Sequence, residues 1–399
     1  MGTSGAPSGN WLAGRTIDEV RPNESPEAAA GERSALEVEM RTRAPTMAAL
    51  MLLVVVGCDD GIPLPTEPPT DEQPDVVEIN YEAVLLDPMG GDQSNAWAIN
   101  DHGVVAGWTN ALGGRAVTWT DPDQAEDLLE QWSGVQGINN SGDVVGWVNP
   151  DDGPQQGFAI VDGARVDLEK LQLGAGGRAL SINDAGSIVG MSRGTPEPPF
   201  RAGAVIWNRT AAGSYGAPTY LGLTNGNGRP RINNRGDVIF TAFSFGHYPL
   251  IWHVEPDGGY GEPLLLGRPR PGTYVTRGLN DDGVVVGFRW TGAVEVAVVW
   301  LPHDYGNPIE LSVGEAWDIN NRNQIVGIAG GNFTTSPAAD RRPALWTIEM
   351  DGSFTGPHDI GTPSGYESGG ARRINEEGWI IGSSWRPGLI SATLWRPVD

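Results

Sequence analysis

The sequence predicts an all-β protein made of seven repeated four-stranded units, and three observations support that prediction. A phrase of the form Ile/Leu-Asn-x-x-Gly, mostly followed by an apolar pair and glycine, occurs seven times along the chain. Each copy is followed by a short apolar segment that mostly ends in tryptophan, which is typical of a strand. Glycine (57) and proline (31) together make up about a fifth of the 399 residues, and this favours turns over long helices.

The spacing of the copies indicates the class of repeat. Successive copies lie 39, 44, 50, 47, 40 and 55 residues apart, and such periods are typical of propeller blades or of helical repeats such as HEAT. The copies lack an apolar stripe with a 3.6-residue period, which excludes helical repeats. The copies are marked by Asn100, Asn139, Asn183, Asn233, Asn280, Asn320 and Asn375.

Each copy is interpreted as a β-hairpin. Glycine supplies the positive φ that a tight turn needs, and asparagine tolerates unusual φ while its amide bonds to nearby backbone. The sixth copy has Asn323 in place of the glycine, and asparagine is the other residue that enters this region readily. Calcium binding is the competing interpretation, but the residue after the marker asparagine alternates between acid and amide and no D-x-D-x-D spacing occurs. We therefore expect no metal and no cofactor.

Two further recurring elements complete a four-stranded unit. A segment such as "AVTW" or "AVIW" follows the hairpin, and a segment such as "TYLGL" or "LLLG" follows that one. Antiparallel four-stranded units of this length are typical of β-propeller blades. The last unit ends at "TLWRPVD" without a fourth segment, whereas residues 81–87 precede the first unit as a surplus one. The sequence thus predicts a seven-bladed β-propeller of four-stranded antiparallel blades, closed by an N-terminal strand (81–87) that completes the last blade and protects its edges.

The repeated pattern "IN..G.VVG … A..W … LG" resembles the HAF family of extracellular repeats of bacterial surface proteins. The resemblance covers about residues 95–395, which is the whole part expected to fold. The His-Ala-Phe that gives the family its name is degenerate here, as in "RAVTW", "GAVIW" and "PALW". The resemblance implies a surface location and no established activity.

The N-terminal region resembles a bacterial lipoprotein signal. The run "MAALMLLVVVG" is too short to span a bilayer but suits a signal-peptide core, and Arg41 and Arg43 precede it. Cys58 follows it and is the expected lipid attachment site; a buried strand that ends in a chance cysteine is the alternative. We expect 1–39 to be a disordered extension that either results from a mis-called start before Met40 or is removed. We expect 40–57 to be the signal peptide, 58–76 to be a Pro- and acid-rich linker, and 77–399 to be the propeller.

Charge and side-chain chemistry limit the functions that can be expected. The formal charge of −24 argues against nucleic-acid binding, which needs a basic surface. The five histidines form no metal-binding spacing, no G-x-S-x-G motif occurs, and Cys58 is the only cysteine, so no catalytic residue is predicted. We expect an exported monomer, anchored in the bacterial cell envelope and contacting the membrane only through its lipid.

Binding is expected on the face opposite the uniform Asn-x-x-Gly turns, where long and variable connections emerge. Exposed aromatic residues there could stack on sugars or anchor a protein partner, although they could instead pack between blades. The predicted function is a non-enzymatic protein- or glycan-binding module, and the alternative is a propeller hydrolase or lyase that acts on an extracellular polymer. The candidate binding aromatics are Trp108, Trp147, Phe245, Phe288, Trp290, Phe333 and Trp385.

Overall fold

A computed structural model describes residues 80–129, 131–172, 175–194, 202–224, 229–243, 247–267, 273–330 and 340–398. The chain divides into two units, Met1–Glu72 and Gln73–Asp399, and all described residues belong to the second. The signal peptide, Cys58 and the linker therefore lie outside the described residues. Within the described part, no helix has the length and hydropathy needed to cross a membrane.

The described residues form an all-β structure in which the strands are short and antiparallel. A short 3-10 turn, Ala111–Gly113, interrupts this pattern. In the first half of the chain the strands are β1 (Asn80–Leu85), β2 (Ser94–Ile99), β3 (Val105–Thr109), β4 (Arg115–Asp121), β5 (Gln124–Asp127), β6 (Ser133–Ile138), β7 (Val144–Val148), β8 (Gln156–Val161), β9 (Ala164–Asp167), β10 (Gly177–Ile182), β11 (Ile188–Arg193), β12 (Ala202–Trp207) and β13 (Thr219–Thr224).

The second half of the chain continues in the same way, with two very short strands and two long ones. Its strands are β14 (Arg231–Ile232), β15 (Val238–Phe243), β16 (His247–Trp252), β17 (Leu264–Leu265), β18 (Thr273–Leu279), β19 (Val285–Trp290), β20 (Glu295–Trp300), β21 (Ile309–Ile319), β22 (Gln324–Ala329), β23 (Arg342–Ile348), β24 (Phe354–Asp359), β25 (Ser368–Ile374), β26 (Ile380–Arg386) and β27 (Leu389–Val398).

Several sheets contain four strands in antiparallel order. Strands β2 to β5 form one such sheet, and β6 to β9 form the next. Strands β10 to β13 are joined to β15 through the single pair Thr224–Ala242, so that β10 to β17 are counted as one sheet. Strands β18 to β24 are likewise joined because β21 is shared. Its first part, up to Val313, pairs with β20, and its second part, from Gly314, pairs with β22.

The first and last strands of the described chain pair with each other. In the sheet β1-β27-β26-β25, β1 lies antiparallel to β27, with Glu82 opposite Arg396 and Ala83 opposite Trp395. The segment predicted as 81–87 is thus a strand over residues 80–85. Around this pairing, Tyr81 and Ala83 pack against a cluster that contains the buried Trp395. The N-terminal strand is therefore held by residues about 300 positions later in the chain.

The marker asparagines begin tight turns and also connect neighbouring repeats. In each turn the asparagine Oδ1 accepts a hydrogen bond from the backbone N–H four residues later, at 2.8–3.0 Å. The Nδ2 group donates to the backbone carbonyl oxygen of the next asparagine at 3.0–3.2 Å. The last of these bonds runs from Asn375 back to Asn100. The side-chain amide of each asparagine thus accepts one hydrogen bond and donates another. An ionised aspartate only accepts, so it could not replace the asparagine.

A second series of bonds joins the residues that follow the asparagines. The backbone N–H of each donates to the side-chain oxygen of its counterpart in the next repeat, at 2.7–3.0 Å. The series is Asp101, Asn140, Asp184, Asn234, Asp281, Asn321 and Glu376. Acids and amides alternate along this series of seven residues. The last residue, Glu376, bonds to the first, Asp101, so two acids are neighbours there. Burial, with the charges of Asp101 and Asp281, raises the pKa of Glu376 at that point.

We call the strand that leads into each asparagine turn the inner strand of its repeat. In six repeats the inner strand contains a β-bulge, and the extra residue lies three positions before the asparagine. The glycine of each Val-Val-Gly type segment lies against this bulge. At Gly287, for example, an added Cβ would lie 2.0 Å from the Val275 carbonyl oxygen. The fourth repeat has Phe240 at this position, and its inner strand β14 is only two residues long. Phe240 stacks instead on Trp252, with ring centroids 4.4 Å apart.

In most repeats, the strand that follows the asparagine hairpin carries a tryptophan at or near its end, and these tryptophans pack in the hydrophobic clusters. All are at most 4 % exposed, and the indole Nε1 of several of them donates to a backbone carbonyl oxygen, as Trp119 does to Asp87 at 2.8 Å. These residues belong to the separate hydrophobic clusters that follow one another along the chain. The buried tryptophans are Trp119, Trp207, Trp252, Trp300, Trp346 and Trp395.

Candidate functional site

The two ends of the sheets differ in chemistry. The asparagine turns lie together at one end because the asparagine bonds connect them, and we call this end the turn face. Since adjacent strands are antiparallel, the connections between second and third strands, such as residues 110–114, emerge at the opposite end. We call that end the loop face. Of the predicted binding aromatics, Phe245 and Phe333 lie outside the described residues.

Two of the predicted aromatics share one surface on the loop face. Trp132 is 54 % exposed and meets Trp147 edge to face, with ring centroids 5.9 Å apart and an interplanar angle of 85°. Gly114 lies between Trp132 and Trp108: an added Cβ there would be 2.5 Å from Trp132 Cδ1 and 3.1 Å from Trp108 Nε1. The three indoles thus form a row across the first two sheets. We call Trp108, Trp132 and Trp147 the tryptophan row.

Arg178 extends the tryptophan row toward the third sheet. Its guanidinium lies 5.5 Å from the centroid of the Trp147 ring, and its Nε donates to Gln155 Oε1. Burial and the nearby charge of Arg193 lower the pKa of Arg178. Stacking on an aromatic face holds a guanidinium in a fixed orientation while its N–H groups stay free to bind a ligand.

A groove adjoins Arg178 on the same face. Its volume is about 530 Å³, which lies in the range of small-ligand sites. Its wall is about equally polar and apolar. Gln155 Nε2 donates to Asn149 Oδ1 at 3.0 Å, and the Arg193 backbone N–H donates to the Gly176 carbonyl oxygen at 2.8 Å. The groove is lined by Asn149, Pro154, Gln155, Gly176, Gly177, Arg178, Met191, Ser192, Arg193 and Ala202.

The other described aromatics do not join the tryptophan row. Phe288 and Trp290 lie in β19, where the Arg277 guanidinium covers the Phe288 ring at 5.0 Å. Trp385 lies in β26 and packs close to Gly370, where an added Cβ would be 3.3 Å from Trp385 Cη2. All three are partly buried. The structure therefore separates the predicted aromatics into one group around Trp132 and several isolated positions.

Trp132 and Arg178 were not among the residues singled out from the sequence. Trp132 stands in a connecting segment outside the repeated phrases, and Arg178 occupies a position of the inner strand that varies from repeat to repeat. Their proximity follows from the order of the sheets. An exposed tryptophan in a variable connection was the available signal for Trp132, whereas no local pattern marks Arg178.

Groups that could support catalysis or metal binding are sparse in the described part of the chain. No cluster of three or more His, Cys, Asp or Glu side chains there could hold a metal ion. His253 Nδ1 lies 3.1 Å from Asp237 Oδ1, but Asp237 also accepts the backbone N–H of Val254 and belongs to a turn. This histidine–aspartate pair is therefore explained by local structure.

The chain is similar to solved structures in fold only. No family model and no curated protein matches the sequence. A puromycin hydrolase structure has a TM-score of 0.51 at 13% identity, with 79% of this chain and 55% of that chain covered. A gluconolactonase from Xanthomonas campestris has a TM-score of 0.42 at 13% identity over 77% and 88%. A lectin from Aleuria aurantia has 0.36 at 10% identity over 72% and 98%. The neighbours are propeller-type folds, and the described residues have a β-propeller-like all-β fold.

Proposed function

We propose that the described chain is a closed seven-bladed β-propeller. If β21 is counted in two parts and the Thr224–Ala242 bridge is taken as a contact between blades, the strands divide into seven groups of four. The pairing of β1 with β27 completes the last group. The asparagine bonds, which return from Asn375 to Asn100, support the same arrangement because a linear array would leave its terminal repeats without this bond.

We further propose that the protein is exported and lipid-anchored through Cys58, with the propeller displayed outside the cytoplasmic membrane. The basic, apolar and cysteine segments of the N-terminal region support this proposal, as does the resemblance to HAF-type surface repeats. Metabolic labelling with a radioactive fatty acid tests the anchor. We expect label in the wild-type chain and none in Cys58→Ser; equal labelling of both would contradict the proposal.

The proposed function is that of a non-enzymatic glycan-binding module that uses the loop face. The observation that carries it is the tryptophan row next to a groove of about 530 Å³ whose wall is about half polar and half apolar. Indole faces stack on the apolar faces of sugar rings, while amide and guanidinium groups bond to hydroxyls. Arg178 and Arg193 add positive charge, which favours sugars that carry carboxylates.

A glycan array probed with the full chain carrying Cys58→Ser tests this function. We expect binding to acidic glycans, weakened tenfold or more in Trp147→Ala, because the ring supports both Trp132 and Arg178. Trp385→Ala serves as the matched control and should bind within about twofold of wild type. Absence of any glycan signal, or equal loss in both variants, would contradict the proposal and leave a protein ligand as the remaining occupant.

The hydrolase or lyase alternative needs carboxylates that converge on an open cleft. Burial, with the charge of Glu295, raises the pKa of Glu315, but the two carboxylates are only 8% (Glu295) and 5% (Glu315) exposed. Glu315 lies 3.8 Å from the Arg277 guanidinium. This environment suits a structural ion pair, so the geometry favours binding over catalysis.

A further inference from the structure

A group of arginines lies where the inner strands of several sheets meet, and its lining residues differ from those of the loop-face groove. Arg229, Arg231, Arg372 and Arg373 line one narrow space together with Trp317 and Gln136. They come from the fourth and seventh repeats, and Trp317 comes from the sixth. We call this space the axial site. Its positive charge contrasts with the formal net charge of −24 for the whole chain.

The guanidinium groups are held in fixed positions. The Nη1 group of Arg229 donates to Gln136 Oε1 at 3.0 Å, and that of Arg231 donates to the Leu180 carbonyl oxygen at 2.6 Å. Arg372 and Arg277 both stack on the Trp317 indole, at 4.9 and 4.5 Å from the ring centroid. Donors that are already oriented bind an anion without the entropy cost of ordering them.

These charges are poorly neutralised by the protein itself. Within the described residues, no carboxylate oxygen lies within 4.0 Å of the Arg229, Arg231 or Arg372 guanidinium. Burial, with the charges of Arg231 and Arg372, lowers the pKa of Arg229 to about 9. The acid whose charge acts on Arg231 is Asp318, and burial raises the pKa of the Asp318 carboxyl to about 7; Glu315 acts in the same way on Arg372. The arginines therefore repel one another, and a bound anion would relieve that repulsion.

Two buried donors at the axial site also have no acceptor among the described residues. They are Arg231 Nε and Trp317 Nε1. A buried N–H without a partner is costly, and such groups in a native protein call for an explanation. Both are donors, so the group that would satisfy them is an acceptor such as an oxygen.

The space available limits the size of the ligand. The space that the axial arginines and Trp317 line has a volume of only about 10 Å³, and it shares Gln136, Arg231 and Arg373 with an adjoining cavity of about 140 Å³ that Asp318 also lines. Since a water molecule takes up about 30 Å³ of liquid volume, this cavity has room for only a few water-sized groups. A sugar chain does not fit, whereas a small polyatomic anion fits the adjoining cavity, and the narrow axial site has room for one of its oxygens.

We propose that the axial site binds a small oxyanion: a phosphate, a sulfate or the carboxylate of a small acid. In this arrangement the anion occupies the adjoining cavity and bonds to Arg231, which lines both spaces. One anion oxygen enters the narrow axial site, where it accepts from the Arg372 guanidinium and the Trp317 N–H. The anion thereby joins the fourth, sixth and seventh repeats. This site is separate from the loop-face groove and does not depend on glycan binding there.

Titration calorimetry of the full chain with sodium phosphate, sodium sulfate and sodium succinate, each against chloride at matched ionic strength, tests the proposal. We expect saturable binding of one anion per chain for at least one of the three, with a rise in thermal midpoint that increases with anion concentration. Binding of phosphate alone, or of succinate alone, identifies the group that the site prefers. Failure of all three anions to bind saturably in the millimolar range would overturn the proposal without affecting the glycan-binding function.

Three variants locate the binding. Arg231→Gln and Arg372→Gln should each weaken the anion at least tenfold, because each removes a charge-assisted bond. Arg235→Gln is the matched control, because Arg235 is exposed and pairs with Asp282 on the turn face. The affinity of this variant for the anion should stay within about twofold of wild type. If an axial variant does not fold, the change in tryptophan fluorescence on anion addition is compared in wild type and Trp317→Phe. Unchanged affinity in the axial variants, or an unchanged fluorescence response in Trp317→Phe, would overturn the proposal.

Discussion

Two positions on the inner strands, only three residues apart, behave in opposite ways. The marker asparagine is the same in all seven repeats, whereas the residue three places before it is different in nearly every one. The asparagine must accept one bond and donate another to the next repeat, so its chemistry is fixed by structure. In six of the repeats the earlier position is the extra residue of a bulge and is not needed for strand pairing, and in the fourth it is Pro230, which lies just before strand β14. The seven residues there are Trp97, Gln136, Leu180, Pro230, Arg277, Trp317 and Arg372.

This difference indicates where to look for function in a repeat protein. Positions that are identical in every repeat make the hydrogen bonds that connect the repeats. Positions that take no part in those bonds or in strand pairing can carry different side chains, including ones that bind a ligand. Four of the seven variable side chains, Trp97, Gln136, Trp317 and Arg372, line the axial site. The same reasoning applies to the loop face, where Trp132 and Arg178 lie at non-repeating positions.

The largest expected effect comes from the glycine that faces the bulge. In Gly287→Ala the new Cβ would lie 2.0 Å from the Val275 carbonyl oxygen, which is backbone and cannot move aside without breaking strand pairs. We expect a loss of about 3 kcal/mol or more in the free energy of unfolding, measured by urea denaturation. Gly216→Ala is the control, because nothing lies within 4 Å of its added Cβ. Equal stability of the two variants would contradict this role of the glycine.

A smaller effect is expected when one asparagine bond is removed. In Asn183→Asp the side chain still accepts the N–H of Ser187 but can no longer donate to the Asn233 carbonyl oxygen. We expect a loss of about 1–3 kcal/mol, the range for a buried polar group left without its partner. Asn307→Asp is the control, since Asn307 is exposed and bonds only within its own loop. A loss no larger than in this control would show that the bonds between repeats contribute little.

The smallest effect concerns pH. Burial raises the pKa of Asp318 to about 7, and the negative charge of Glu376 acts in the same direction. The charge of Arg231 and the hydrogen bond from the Ile374 N–H lower the pKa of Asp318 and so oppose the shift. The cation of Arg373 lines the same cavity as Asp318. A raised carboxyl pKa contributes stability at low pH that is lost as pH rises through about 7. We expect wild type to lose about 1 kcal/mol between pH 6 and pH 8 relative to Asp318→Asn. Parallel pH profiles of the thermal midpoint in the two proteins would contradict this.

The repeat pattern predicted the fold because hairpin turns and strand lengths are local properties. The four-strand units follow from turn glycines, from asparagines and from segments that end in tryptophan, all of which are visible within a few residues. The partner of each asparagine amide could not be predicted, because Asn100 bonds to a carbonyl group 39 residues away and Asn375 to one 275 residues away.

The candidate sites were less predictable than the fold. Trp108 and Trp147 were selected from their place after the repeated phrase, and the structure brings them together only through Trp132. The axial arginines were not selected at all. Arg231 and Arg372 lie 141 positions apart in sequence, and each stands in a strand whose local pattern gives no sign of a shared cavity. Such a site exists only once the sheets are placed around one another.

The central claim is that the seven repeats close upon themselves through β1 and β27, and an engineered disulfide tests it most directly. Glu82→Cys and Arg396→Cys, introduced together with Cys58→Ser, place two thiols at directly opposed positions of these strands. Peptide mass spectrometry after oxidation should detect a link between residues 82 and 396, and no link when Glu82→Cys is combined with Glu310→Cys instead. Free thiols at both 82 and 396 in a folded chain would contradict closure.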